Sequence, residues 1–169
     1  MQAGPSETES LIEHEIRVAA SPETVFAYFT DPAKMVQWMG TEATLDPRPG
    51  GVCRINPSGQ EVMLGEFLEV DPPHRLVLTW GWEREMFATP PQSTLVEVSL
   101  TPDGEGTIVQ LVHRRLQATA VAVHRAGWEH YLPRLALAAS GRDAGVDPWR
   151  DASVTISDLR AAGVRQDDV

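Results

Sequence analysis

Val70-Asp71-Pro72-Pro73-His74-Arg75-Leu76-Val77-Leu78-Thr79-Trp80-Gly81-Trp82 is the stretch on which the fold of this chain turns. The proline pair ends one extended run, because proline has no amide proton to give a neighbouring strand. The alternating run that follows puts Leu76, Leu78, Trp80 and Trp82 on one face, since strand side chains repeat every two residues. Two tryptophans on one face need a deep interior, and each indole N–H needs a polar partner there. The pattern predicts a curved sheet around a hollow.

On either side of this hairpin the chain alternates again. Glu61 to Val70 precedes it, with Gly65 inside the run as a bulge or a point of close backbone approach. Thr94 to Leu100 and Thr107 to His113 follow, joined by the turn Pro102-Asp103-Gly104-Glu105-Gly106. The inward set of the second of these is Thr107, Val109, Leu111 and His113. Upstream, Thr41 to Asp46 and Val52 to Asn56 flank a turn rich in proline and glycine, Pro47 to Gly51. Leu11 to Val18 is a first half-buried strand, with Ile12, His14, Ile16 and Val18 inward.

Helix signals fall at two places. Ser21-Pro22-Glu23 has a capping hydroxyl, a proline for the first turn and an acid for the helix dipole. Asp31-Pro32 repeats the device and opens a short second helix carrying Met35, Val36 and Trp38. From Ala118 to Ser140 the period becomes helical, with Val123, Gly127, Trp128, Tyr131, Leu135 and Ala138 on one face. Pro133 inside this run predicts a kink. A long helix after a meander buries its stripe best in the hollow of the bent sheet. The expected fold is α+β, a helix-grip: a curved antiparallel sheet of six to seven strands around a long C-terminal helix, with two short helices after strand one. Residues 10–140 form this domain. Residues 1–9 read as a flexible lead. Residues 141–169 read as a tail, either docked through Trp149 or partly disordered, with a short helix near Val154 to Ala161.

The chain has 169 residues, enough for one domain with a real core. Its formal charge of −10 and scattered basic residues argue against a nucleic-acid partner. No run reaches the roughly 18 apolar residues of a membrane helix. Met1 to Ser10 is polar and acidic, unlike a secretory leader, so a cytoplasmic protein is expected. Cys53 is the single cysteine, which excludes an internal disulfide and a multi-thiolate metal site. On a strand it reads as a small core residue.

The candidate binding residues are the large groups facing the hollow. Met35, Trp38, Trp80, Trp82, Met86, Trp128 and Tyr131 suit a flat apolar ligand, with Leu78, Val109, Leu111 and His113 completing the wall. His113 is the one candidate for chemistry. It would hydrogen-bond a ligand carbonyl or serve as acid or base, or else be a core histidine satisfied by its neighbours. His14 has a weaker case. His124 and His130 lie six apart on the long helix and so on different faces. No His-x-x-x-His or Glu-x-x-His pair suggests a metal, and no nucleophile elbow or phosphate loop is present. No cofactor is expected.

Several motifs together resemble the START-like, Bet v 1-like (SRPBCC) superfamily, and within it the bacterial group similar to the activator of Hsp90 ATPase. They are Ser21-Pro22-Glu23-Thr24-Val25-Phe26, Asp31-Pro32 with Gln37-Trp38-Met39-Gly40, Arg48-Pro49-Gly50-Gly51, Gly65, and Asp71 to Leu76 leading into Thr79-Trp80. Gly106-Thr107 through His113, and Gly127-Trp128 with Leu132 and Leu135, complete the set. The resemblance covers about Leu11 to Ala139. It departs at Pro90-Pro91, at Pro133 and after Ser140. It implies an internal space for a small apolar or aromatic molecule, in a monomer or homodimer. Two alternatives stand beside that reading: a cyclase or dehydratase using His113, and a co-chaperone-like interaction module. Fold alone does not choose among them.

Overall fold

The computed structural model describes residues 10–57, 59, 61–84 and 89–150. The Pro72-Pro73 turn joins β4 (Met63–Asp71) to β5 (Arg75–Trp80), and the meander continues through β6 (Thr94–Asp103) and β7 (Gly106–Leu116). With β1 (Ser10–Val18), β2 (Glu42–Leu45) and β3 (Val52–Asn56), they form one curved seven-stranded antiparallel sheet, ordered β1-β7-β6-β5-β4-β3-β2. The N-terminal strand therefore lies beside the last, and α3 (Ala118–Ala139) fills the hollow, as the helix-grip reading expects.

The capping chemistry works as the sequence predicts. Ser21 Oγ accepts the Thr24 N–H at 3.2 Å to start α1 (Pro22–Thr30). Asp31 Oδ1 accepts the Ala33 N–H at 2.9 Å to start α2 (Pro32–Met35). The second helix is shorter than expected. Trp38 lies in the turn after it and is held by an Nε1–H bond to the Tyr28 carbonyl at 2.9 Å.

Leu76, Leu78 and Trp80 are buried on one face of β5, but the strand stops at Trp80 rather than Trp82. The cause is a crossing of chains at Gly81, where a Cβ would stand 1.9 Å from the Pro90 carbonyl oxygen. Past this point Trp82 gives its backbone N–H to Thr89 and bridges to Met63, and its ring is only half-buried. Strand β7 runs three residues beyond His113. Arg115 adopts φ 64°, which sends its side chain outward and returns Leu116 to the core.

On the outer face, Glu69, Val77, Glu97 and Val112 form a cross-strand row. Arg75 bridges Glu69 and Glu97, and Arg114 Nε meets Glu97 at 3.1 Å. Such solvent-screened pairs, half-exposed at Arg75, Glu97 and Arg114, stabilise by about 0–1 kcal/mol each. Their stems cover Val77, which is buried on this side.

α3 buries Val123, Trp128, Tyr131, Leu135 and Ala138, as its stripe predicts. Gly127 departs from the expected face: it is half-buried, and a Cβ there would meet nothing. The helix is continuous through Pro133, whose ring is exposed. The segment after it docks. Trp149 stacks on His130 at 3.9 Å and 7°, and Asp147 Oδ1 takes a bond from His130 Nε2 at 2.6 Å. The expected lead over 1–9 and the short helix near Val154 to Ala161 lie outside the described residues.

Candidate functional site

Alternation on β7 aims His113 at α3, and the helix places Trp128 across from it. His113 is fully buried. Trp128 donates its indole N–H to His113 Nδ1 at 3.1 Å. An indole can only donate, so Nδ1 must be the bare nitrogen and Nε2 must carry the hydrogen. Nε2–H then donates to Thr94 Oγ1 at 2.7 Å, and the Thr94 hydroxyl donates to the Trp80 carbonyl at 2.8 Å. The relay is closed at both ends, and both ring nitrogens are occupied.

A second pair lies beside the first. His124 Nδ1–H donates to the Ala120 carbonyl at 2.7 Å, which leaves Nε2 to accept the Trp82 indole N–H at 3.1 Å. The His113 and His124 rings meet edge to face at 5.1 Å. Burial holds His124 down at about 4, against the pull of its carbonyl bond. Burial, with the neighbouring His124, holds His113 well below the usual histidine range. Both are neutral at pH 7, as a water-poor site between two tryptophans requires.

Behind the relay is an apolar void of about 20 Å³. Of the residues expected to face the hollow, Met35, Trp38, Leu78, Trp80, Leu111 and Trp128 line it. Trp82, Val109, His113 and Tyr131 do not, and Met86 lies outside the described residues. Trp82 is diverted to His124, Val109 and His113 are packed in the sheet–helix core, and Tyr131 turns toward the C-terminal segment. The void is far smaller than the roughly 300–1,000 Å³ of small-molecule sites. The indoles mesh more closely than a count of large side chains suggests. The Trp80 indole N–H is buried and has no acceptor among the described residues.

Sequence reasoning missed part of this lining: Phe29, Met39, Cys53, Ile55, Val96 and Val98. Val96 and Val98 could have been read from the period-two pattern of β6, which also turns Thr94 inward opposite Trp80. His124 could have been found four residues from Trp128, on the same helical face. Cys53 is the expected core cysteine, and burial pushes its thiol up to about 12. His14 is half-buried, with a buried Nε2 that has no partner among the described residues.

A second space opens at the C-terminal end of α3, a cleft of about 490 Å³. Tyr28, Gln37 and Trp38 form one wall, and Arg134, Ala138 and the segment from Gly141 to Asp147 form the other. Arg134 closes its floor, donating to the carbonyls of Trp38, Ala144 and Gly145 at 3.1, 3.0 and 2.9 Å. Burial and the nearby Asp147 carboxylate push the Tyr131 phenol upward. Burial alone would raise Asp147, but the His130 hydrogen bond, the Trp149 N–H and the Arg134 charge hold it below its ordinary value. Among the described residues no three His, Cys, Asp or Glu side chains gather closely enough to hold a metal ion, and no helix is long and apolar enough to cross a membrane.

Fold and site define a helix-grip domain whose central polar groups close on one another and leave an apolar remainder. The chain belongs to the family described as Activator of Hsp90 ATPase homolog 1-like protein, which matches residues 19–139. It is similar to the solution structure of an AHSA1-like protein from Rhizobium etli, with 42% identity over 87% of this chain and 92% of that one and a TM-score of 0.67. CalU16 from Micromonospora echinospora is 27% identical over 78% of this chain and 77% of its own, with a TM-score of 0.64. An HSP90 activator from Plasmodium falciparum shares the fold at 22% identity, covering 74% and 92%, with a TM-score of 0.60. No curated protein matches the chain. The superfamily resemblance read from the sequence holds.

Proposed function

We propose that the chain binds a small apolar or aromatic molecule between the sheet and α3. The observation that carries this reading is the central void, apolar throughout and walled by three indoles, Trp38, Trp80 and Trp128. A well-packed interior concentrates its imperfections rarely, and here they fall between the sheet and the helix that grips it. To take such a molecule the space of about 20 Å³ has to widen. Met35 and Met39 supply the give, since unbranched thioethers repack at small penalty around a guest.

The alternative of acid or base catalysis by His113 is less well supported. Both of its nitrogens are occupied, so a reaction there requires breaking the bond from Trp128 or the bond to Thr94. A co-chaperone-like role has a fold relative in the Plasmodium protein, but no surface feature among the described residues favours it.

Native mass spectrometry of the purified protein and titration with a fluorescent apolar dye test the proposal. A bound small molecule, or saturable one-to-one dye uptake displaced by aromatic hydrocarbons, is expected. Absence of uptake for every apolar probe overturns the reading.

A further inference from the structure

The cleft beside the C-terminal end of α3 has two fixed walls. Residues 141–147 are held by the Arg134 bonds to the Ala144 and Gly145 carbonyls and by the docking of Asp147 and Trp149 on His130. The turn after α2 is held to the same guanidinium, whose Nε–H donates to the Trp38 carbonyl. At about 490 Å³ the space lies within the roughly 300–1,000 Å³ of small-molecule sites, unlike the apolar void of the interior.

The side chains around it have hydrogen-bonding capacity to spare, and most of it is donating. A guanidinium carries five N–H groups and no acceptor. Arg134 uses three of them, all on uncharged carbonyls, so its positive charge stands in the floor of the cleft. The Arg142 guanidinium is exposed on the rim and makes no side-chain hydrogen bond or ion pair among the described residues. The exposed Gln37 amide adds donors, since only its oxygen is engaged, by the Tyr28 hydroxyl at 3.5 Å.

Neither carboxylate of the lining comes within ion-pair distance of either arginine. Asp147 feels the Arg134 charge, but it is buried and is taken up by His130, the Trp149 N–H and the Tyr131 hydroxyl. Asp143 is exposed and turns Oδ1 back to the Gly145 N–H. Apolar surface comes from Val36, Ala138 and the Tyr28 ring.

We propose that this cleft is a second site, separate from the interior, and that it takes a small aromatic carboxylate. The flat body lies on Val36 and Ala138, and the charged end meets Arg142 and the spare N–H groups of Arg134. Arginine suits the task because its planar fork matches the two oxygens of a carboxylate. The same charge keeps such a ligand out of the interior, where the void is apolar and offers no cation. Occupation of the cleft and binding in the interior are therefore independent.

Titration of the full chain at neutral pH with 2-naphthoate, followed by NMR amide shifts, tests the site. The comparison is 2-naphthamide, which has the same shape and no charge. Saturable binding with shifts concentrated at residues 36–40 and 141–145 is expected, and the amide should bind about fivefold more weakly or worse. Arg142→Gln, at an exposed side chain with no partner to lose, is expected to weaken the acid about fivefold and leave the amide unmoved. Arg125→Gln removes the same charge from an exposed position of α3 outside the cleft and should change neither. Equal affinity for acid and amide overturns the anionic assignment. Equal losses in the two arginine variants reduce the effect to net charge and overturn the site. Displacement of 2-naphthoate by naphthalene puts the acid in the interior and overturns it as well. No saturable binding of 2-naphthoate overturns it outright, while uptake of apolar probes by the interior is left untouched.

Discussion

Trp128 donates its indole proton to Nδ1 of His113 at 3.1 Å, and this bond decides which nitrogen of a sealed imidazole carries hydrogen. The relay then runs to Thr94 on β6 and on to the backbone of β5, so one helix and three strands are tied at a single point. His113→Phe fills the space but strands the Trp128 N–H and removes the donor to Thr94. A loss of about 2–4 kcal/mol in urea unfolding is expected, because a buried donor without an acceptor loses its solvation outright. His113→Gln, which offers an acceptor and a donor, recovers part of it. A His113→Phe protein as stable as the parent would show that the relay holds nothing together.

The two neutral histidines make stability depend on pH in a defined direction. Unfolded, each takes up a proton near its ordinary value of 6.5; folded, His124 resists until about 4, and His113 resists as well. Between those limits the unfolded chain binds more protons, so stability is full above about 6.5 and declines as pH falls toward 4. His124 alone accounts for on the order of 3 kcal/mol across the whole window, since each pH unit within it contributes about 1.4 kcal/mol. Urea midpoints at a series of pH values between about 7.5 and 4.5 measure the decline. His124→Gln should flatten the slope. A midpoint that does not move over this range contradicts the assignment of both rings as buried and neutral.

The C-terminal segment is tied to α3 by a stack and a side-chain hydrogen bond. Trp149 lies flat on His130, and Asp147 bonds both His130 and the Trp149 N–H. Trp149→Ala removes the stacked face and uncovers Tyr131, which it meets edge-on at 5.7 Å. A loss of about 1–2 kcal/mol is expected from the aromatic contacts. Asp147 has a lowered pKa, so its part of the attachment is present above the ordinary carboxylate value of 3.8 and is lost as pH falls below it. Hydrogen exchange in the turns of α3 around His130 and Tyr131 should report both changes. Unaltered protection in Trp149→Ala would mean that the segment rests on the helix without stabilising it.

What the sequence discloses here is what depends on neighbours along the chain. Ser21 and Asp31 cap helices through atoms two or three residues away, and period two turns Thr107, Val109, Leu111 and His113 inward without reference to distant parts. The end of β5 is different. It is set by the Pro90 carbonyl pressing on Gly81, a contact between segments whose approach no local pattern encodes. The interior divides the same way. That Trp38, Trp80 and Trp128 face one space follows from their faces; that the space is about 20 Å³ depends on how the rings mesh, and a single methylene changes that. The local pattern puts Trp38 in a helix, whereas it stands in the turn after α2, held by its indole bond to the Tyr28 carbonyl.

Gly65 shows how far one absent side chain supports the hollow. A Cβ there would lie 1.9 Å from the Thr79 carbonyl oxygen, well inside contact distance. At this point β4 crosses so near β5 that the Glu66 N–H bonds the Thr79 hydroxyl instead of a backbone carbonyl, at 2.9 Å. The next residues carry the register shift between Phe67 and Glu69 that bends the sheet. Gly65→Ala must push β5 outward, and Trp80 moves with it, away from Trp128, whose ring is 5.0 Å distant. A loss of about 2–4 kcal/mol is expected from strain and lost packing. A red shift in tryptophan emission should accompany it as water reaches the indoles. Thr79→Ser leaves the carbonyl in place and so offers no relief in the double variant. If Gly65→Ala changes stability by less than about 0.5 kcal/mol with emission unmoved, the close crossing is not what curves the sheet around its helix.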